Sequence, residues 1–257
     1  MVVIKYGKRK LIFFLFIVSF FVIYSPNSDK SVKANEIWAP GKNLNQRFDS
    51  IDINIVKNFA PILHFHPNEG IQCCYPSSAE DAYPRAKLGK TGKYLLPKLM
   101  ALNTPCYFEA LYTSNGFRIK YWFWYNYNDY PTGPNLWGSH PGDWEYLEVK
   151  FENDKPYEYI FSNHKGKRVK NSYQVRTKNN QVKVWVGNGS HANYESPDPS
   201  AIASILGFSD KIANGGSIWD TANNLKDIRN TIFCRDNYLG DWGDGKKIFG
   251  PLNRMKN

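Results

Sequence analysis

The chain has no Cys-x-x-Cys pair among its four cysteines, no Gly-x-Ser-x-Gly turn and no phosphate-cradling glycine loop. These absences argue against a cysteine-built zinc site, a hydrolase with its nucleophile on a strained elbow, and a nucleotide-binding loop. Repeats, low-complexity tracts and long linkers are also missing, so residues 50–257 read as one domain. No nucleic-acid-binding motif occurs. Histidine is scarce, with five in 257 residues, so each can be weighed singly.

The amino terminus stands apart. Lys5, Lys8, Arg9 and Lys10 precede an apolar run from Leu11 to Tyr24, and Val32-Lys33-Ala34 offers small residues to a signal peptidase. That run is short for a membrane span and suits the core of a secretory signal. Residues 1–34 are therefore expected to be a signal peptide, with an uncleaved anchor as the alternative, and 35–49 an extension before the domain. The leader holds six of the 33 basic and one of the 23 acidic residues, so its removal leaves a net charge of +5. A mildly basic, secreted chain favours anionic surfaces such as membranes or acidic glycans over nucleic acid. Export also predicts disulfides, with Cys73 or Cys74 reaching Cys106.

Period two dominates the rest of the chain. In Phe117–Tyr127 every odd position is apolar or aromatic, which predicts a core-facing strand. Glu145, Leu147, Val149 and Phe151 share one face of a second strand, and Tyr157, Tyr159 and Phe161 suggest a third. Tyr173, Val175 and Thr177 lead into Asn179-Asn180, and Val182, Val184 and Val186 lead out, the pattern of a hairpin. Helices are expected from Asp198-Pro199 to Gly207, from Leu95 to Leu102 and from Thr221 to Ile228. The fold class is mainly β, an antiparallel β-sandwich with a few short helical insertions.

The segment His140-Pro141-Gly142-Asp143-Trp144-Glu145 carries the chemistry. Alternation along a strand turns Asp143 and Glu145 the same way, about 6 to 7 Å apart. Two carboxylates at that separation repel by about 2.5 kcal/mol at an effective dielectric of about 20. A divalent cation reverses the sign, and a Pro-Gly turn can swing His140 over the same spot. The alternative is a capped turn, a solvated Glu145 and an incidental His140. Glu145, however, lies on the face of Leu147, Val149 and Phe151, so its carboxylate needs a cation, a donor or a wet pocket. Asp129 precedes this turn and can fold back beside it, although Asn and Asp before Pro131 are also ordinary turn residues.

His191 comes after a glycine-rich turn at a strand end, where functional side chains are commonly presented. His64 and His66 flank Phe65 on one face of a strand, either as metal ligands or as a structural pair. His164 reads as an exposed hairpin tip.

The frame His-x-x-Asp-Trp-Glu, met by His140, Asp143, Trp144 and Glu145, resembles the signature of the necrosis- and ethylene-inducing-peptide-like proteins (NLPs), and Gly189-Ser-His-Ala-Asn-Tyr194 is similar to a later segment of theirs. A likeness over more of the chain is to the vacuolar protein sorting-associated protein sixty-two family. It resembles that family at Ala60–Glu69 with Tyr75–Ser78, at His140–Glu145, at Gly189–Tyr194, at Gly216–Asp220 and at Gly240–Gly243 with Gly250-Pro251. The NLP resemblance implies a secreted β-sandwich with a divalent ion on His140, Asp143, Glu145 and an upstream acid matched by Asp129. It also implies docking on sphingolipid glycan headgroups. Pro141-Gly142 replaces the Arg-His of that signature, so toxicity is not carried over with it. The second resemblance supports the fold and implies no chemistry.

Two functions emerge as expectations. One is a secreted, metal-dependent binding protein or cytolysin-like effector, acting as a monomer on a membrane glycolipid or glycan, with magnesium, calcium or manganese in the site. The other is a metal-dependent hydrolase of phosphoester or glycan, with His191 or His66 as general acid or base.

Overall fold

The computed structural model describes residues 51–254 apart from 72–73, 90–96, 100, 131–137, 164–165, 199–203 and 206–207. The leader, Cys73 and His164 lie outside the described residues. A first short helix, α1 (Ile53–Asn58), is capped by the Asp52 carboxylate, and α2 (Ala79–Lys87) by the Ser78 hydroxyl.

One sheet has six strands. Its centre is β2 (Cys106–Thr113), β3 (Gly116–Asn128), β4 (His140–Glu152) and β5 (Lys155–Asn163), flanked by β6 (Gly166–Asn171) and by the later β13 (Leu225–Asp227). A second sheet joins β1 (Ile62–His64), β7 (Thr177–Lys178), β8 (Gln181–Val186), β9 (Asn193–Tyr194) and β12 (Ile218–Asp220). One buried cluster contains Leu63, Val182, Val184 and Trp219 from the second sheet. Facing them are Ile119, Tyr121, Phe123, Leu147, Val149 and Phe161 from the first. The core therefore lies between two sheets, and the molecule is mainly β as its alternation predicts. The pairing is not purely antiparallel, because β1 runs parallel to β8 and β13 parallel to β2.

From Lys120 onward the even positions of β3 are also buried. Trp122, Trp124 and Trp144 form a second cluster beneath Ala82 and Tyr83 of α2, Phe233 of α3 (Ile232–Arg235), Trp242, and Leu252 of α4 (Pro251–Arg254). The strand is covered on both faces, so its dense aromatic run fills two cores.

Three helix expectations meet different outcomes. Residues 204–205 and 208–209 are the paired strands β10 (Ser204–Ile205) and β11 (Phe208–Ser209), so no helix runs to Gly207. From Thr221 to Ile228 the chain makes a single 3-10 turn and then β13, because Leu225–Asp227 gains backbone partners along β2. Of 95–102, the described part is not helical. The Asn179-Asn180 hairpin forms, with both residues at positive φ (51° and 69°), as the tightest turn between two strands requires. Its incoming arm is shorter than expected, since Ser172–Gln174 is a 3-10 turn. Cys74, Cys106 and Cys234 are buried thiols outside any disulfide, so the disulfide expected at Cys106 is not formed. Cys106 packs in the inter-sheet core and Cys74 points its thiol at the Tyr127 carbonyl.

Candidate functional site

Register places the motif. Tyr125 pairs with Asp143 and Phe123 with Glu145, and residues directly opposite in an antiparallel pair point to the same face. Both carboxylates therefore enter the space between the sheets and are buried. Gly142, just before them, has φ of 69°, and a Cβ there would lie 2.2 Å from the Trp242 carbonyl oxygen. Only glycine lets β4 start this close to the segment around Trp242.

Asp143 Oδ2 accepts two buried N–H donors, Asn128 Nδ2 at 3.0 Å and His191 Nδ1 at 3.0 Å. His191 comes from the turn between β8 and β9, which is closed by the Gly187 amide on the Ala192 carbonyl and the His191 amide on the Gly187 carbonyl. It has φ of 60° and a side-chain exposure of 0 %. Its ring lies flat on Tyr125, centroids 3.7 Å apart and planes 3° from parallel. On its far side Nε2 faces Glu69 Oε1 at 3.8 Å, and among the described residues neither atom has a hydrogen-bond partner within ordinary distance. Closing that gap by about 1 Å makes a charge-assisted hydrogen bond. Glu69 Oε2 takes the Gly189 amide, so the carboxylate is tied to the same turn. Asn128 also reaches the Ser190 carbonyl, and the Asp129 amide the Gly189 carbonyl.

Electrostatics track the geometry. Burial pushes the Asp143 carboxyl up, but the bond from His191 outweighs it and holds the group below the usual range. For His191, burial disfavours the cation, yet the Asp143 hydrogen bond and the neighbouring Cys74 and Glu69 carry it up to about 10. Glu69 is pushed up to about 7 by burial, against the pull of His191 and the Gly189 amide. An imidazolium thus sits between an ionised Asp143 and a Glu69 that titrates near neutrality. The face of Tyr125 adds a cation–π contact.

The residues expected to ligate an ion are only partly brought together. His140 is half-buried, with Nδ1 2.8 Å from the Gly142 carbonyl. Asp129 is half-buried and accepts from the Ser139 hydroxyl. Glu145 accepts from the buried Ser162 hydroxyl, the donor that its core position demanded. Among the described residues no three His, Cys, Asp or Glu side chains are gathered so as to hold a metal ion. Asp143 Oδ2 is turned onto two N–H groups and Glu145 Oε2 onto Ser162. His66 accepts the Asn68 amide on Nδ1, and His64 stacks on Trp185; burial lowers the basicity of both.

Glu69, Asn128, Tyr125 and Cys74 join the site without having been foreseen from the sequence. Glu69 had a signal, since a carboxylate closes the Ala60–Glu69 segment just before Gly70, which has φ of 75°.

No protein-family model matches the chain. Vacuolar protein sorting-associated protein 62 of Saccharomyces cerevisiae is 28% identical over 133 residues, which are 43% of this chain and 28% of that one. The chain thus matches little more than a quarter of that relative's length. Among solved structures, the non-toxic HaNLP3 protein covers 82% of this chain and 92% of its own, at 14% identity and a TM-score of 0.48. NLPPya in complex with glucosamine covers 77% and 85%, at 14% identity and a TM-score of 0.47. NLPPya in complex with mannosamine gives the same coverage and identity, at 0.46. The chain is similar to both groups that its motifs resemble.

Proposed function

We propose that the protein is an exported binding protein of the effector kind, which grips a polar sugar or lipid headgroup at the rim where β3 ends and β4 begins. The observation that carries this reading is the enclosure of His191. None of its side chain reaches solvent, so it can fix the rim but cannot exchange protons with a substrate. The hydrolase alternative would need His191 to reach its substrate, and His66 already accepts the Asn68 amide on Nδ1. Buried polar networks of this kind cost desolvation and return a fixed geometry, which lowers the ordering cost of binding. The groups at the edge of this network, His140, Asp129 and Ser139, are half-buried and suited to hydroxyls.

The test is flotation with vesicles carrying a neutral glycolipid against plain vesicles, with free glucosamine and mannosamine as competitors, sugars chosen because NLPPya was solved with each. Binding that falls about tenfold in His140→Ala and in Asp129→Asn, each folded by circular dichroism, supports the rim. Equal binding by both variants and the parent, or no preference for glycolipid, overturns it.

A further inference from the structure

A cleft of about 650 Å³ opens beside β3, β4, β5 and the start of β6. Its walls carry five cations, Arg118, Lys120, Lys150, Lys167 and Arg254, against two carboxylates, Glu145 and Glu148. None of His140, Asp129, Asp143 or His191 lines it, and Glu145 is the one motif residue that does.

The pairing inside the cleft decides which charges remain for a ligand. Glu148 takes Lys120 at 3.1 Å and Arg118 at 3.5 Å, and Lys120 also faces Glu109 at 3.9 Å. Lys120 lies over the Tyr146 and Trp122 rings as well, at 4.8 and 5.1 Å, so its ammonium is held in place. Lys150 is bound to Glu158 at 2.6 Å. Arg254 gives Nη1 to the Trp144 carbonyl, and among the described residues neither it nor Lys167 has a carboxylate at ion-pair distance. Lys167 is exposed at the mouth and Arg254 half-buried.

Two unpaired cations, one a planar fork, select an anionic group. A bare polyanion is a poor match, because Glu145 and Glu148 stand in the same wall and would repel it. Glu148 and the Asn163 side chain suit hydroxyls, and the half-buried Tyr146 ring offers a flat apolar face. A concave site with a few convergent polar groups on an apolar floor is the usual form of a small-ligand pocket.

From this lining we infer that the cleft is a second binding site, for a sugar that carries one anionic group, with Arg254 and Lys167 holding the anion and Glu148 and Asn163 the hydroxyls. The anionic sugar can be free or the headgroup of a lipid, and the chemistry is shared.

The experiment tracks backbone amide shifts of Ser162–Lys167 by NMR in the purified protein, titrated with glucuronate, glucose and inorganic phosphate. Glucuronate is expected to bind about tenfold more tightly than glucose or phosphate, and to weaken about tenfold in Lys167→Glu and in Arg254→Met. Lys167→Glu is a surface change, so its fold is secure even if loss of the Trp144 contact disturbs Arg254→Met. His140→Ala is expected to leave these shifts intact, which separates failure of the cleft from failure of the rim. Vesicles with a glucuronosyl lipid, added beside the free sugar, tell which source is preferred. Equal affinity for glucose and glucuronate, a stronger response to phosphate alone, or indifference to Lys167→Glu overturns the proposal.

Discussion

Glu69→Gln tests the electrostatics of the buried chain quantitatively. The unfolded carboxyl titrates at its ordinary value of 4.5, whereas in the folded protein burial carries it to about 7. Between those values the unfolded chain releases its proton first, so native Glu69 loses stability as pH rises through the window. A shift of this size corresponds to about 3 kcal/mol. Glutamine keeps the shape and the acceptor for the Gly189 amide but does not titrate. At pH 4.5 the variant and parent should be nearly equal in stability, and by pH 8 the variant should be the more stable by about 3 kcal/mol. His191 titrates above this window and contributes little to the slope. Urea unfolding at half-unit intervals gives the difference directly. A difference that does not change with pH, or one that grows in favour of the parent, would refute the reasoning, because it would mean that ionised Glu69 is stabilised rather than strained.

The same geometry leads to three further outcomes. Asp143→Asn leaves the buried imidazolium without its anion and is expected to cost about 3 to 5 kcal/mol in chemical denaturation, with a loss below about 1 kcal/mol counting against the pair. Gly142→Ala sets a methyl against the Trp242 carbonyl at a left-handed φ, so its unfolding midpoint should drop by more than the about 1 kcal/mol of an ordinary glycine replacement. Alkylation of the native protein should spare Cys74, Cys106 and Cys234, and alkylation after unfolding without reductant should modify all three; mass spectrometry finding any of them oxidised in pairs would contradict thiols outside any disulfide.

The sheet was readable where one strand face decides everything. The odd positions of Phe117–Tyr127 do line the inter-sheet core, and Asn179-Asn180 adopts the positive φ that its turn demands. Placing Glu145 on the Leu147 face was correct, and the donor it needed is Ser162. The features that stayed hidden depend on pairings distant in sequence. β1 and β8 meet in parallel across more than a hundred residues, and His191 finds Asp143 from 48 residues away. Alternation could not reveal that Trp122 and Trp124 are buried too, since the cover over them is built by α2 and the C-terminal segments. A signal for α2 was present in the Ser78 cap with Glu80 and Asp81 in the first turn, but Pro84 inside the helix works against that pattern. The expected helix to Gly207 failed for the opposite reason, because a good Asp-Pro start does not determine the conformation of the residues after it.

The account rests on a buried, protonated His191 anchoring the rim through Asp143, and nitrogen NMR of the labelled imidazole reads that state directly. Both ring nitrogens should remain protonated from pH 5 through pH 8, with titration only well above neutrality. A neutral ring at pH 8 that titrates near its ordinary value of about 6.5 would contradict the account.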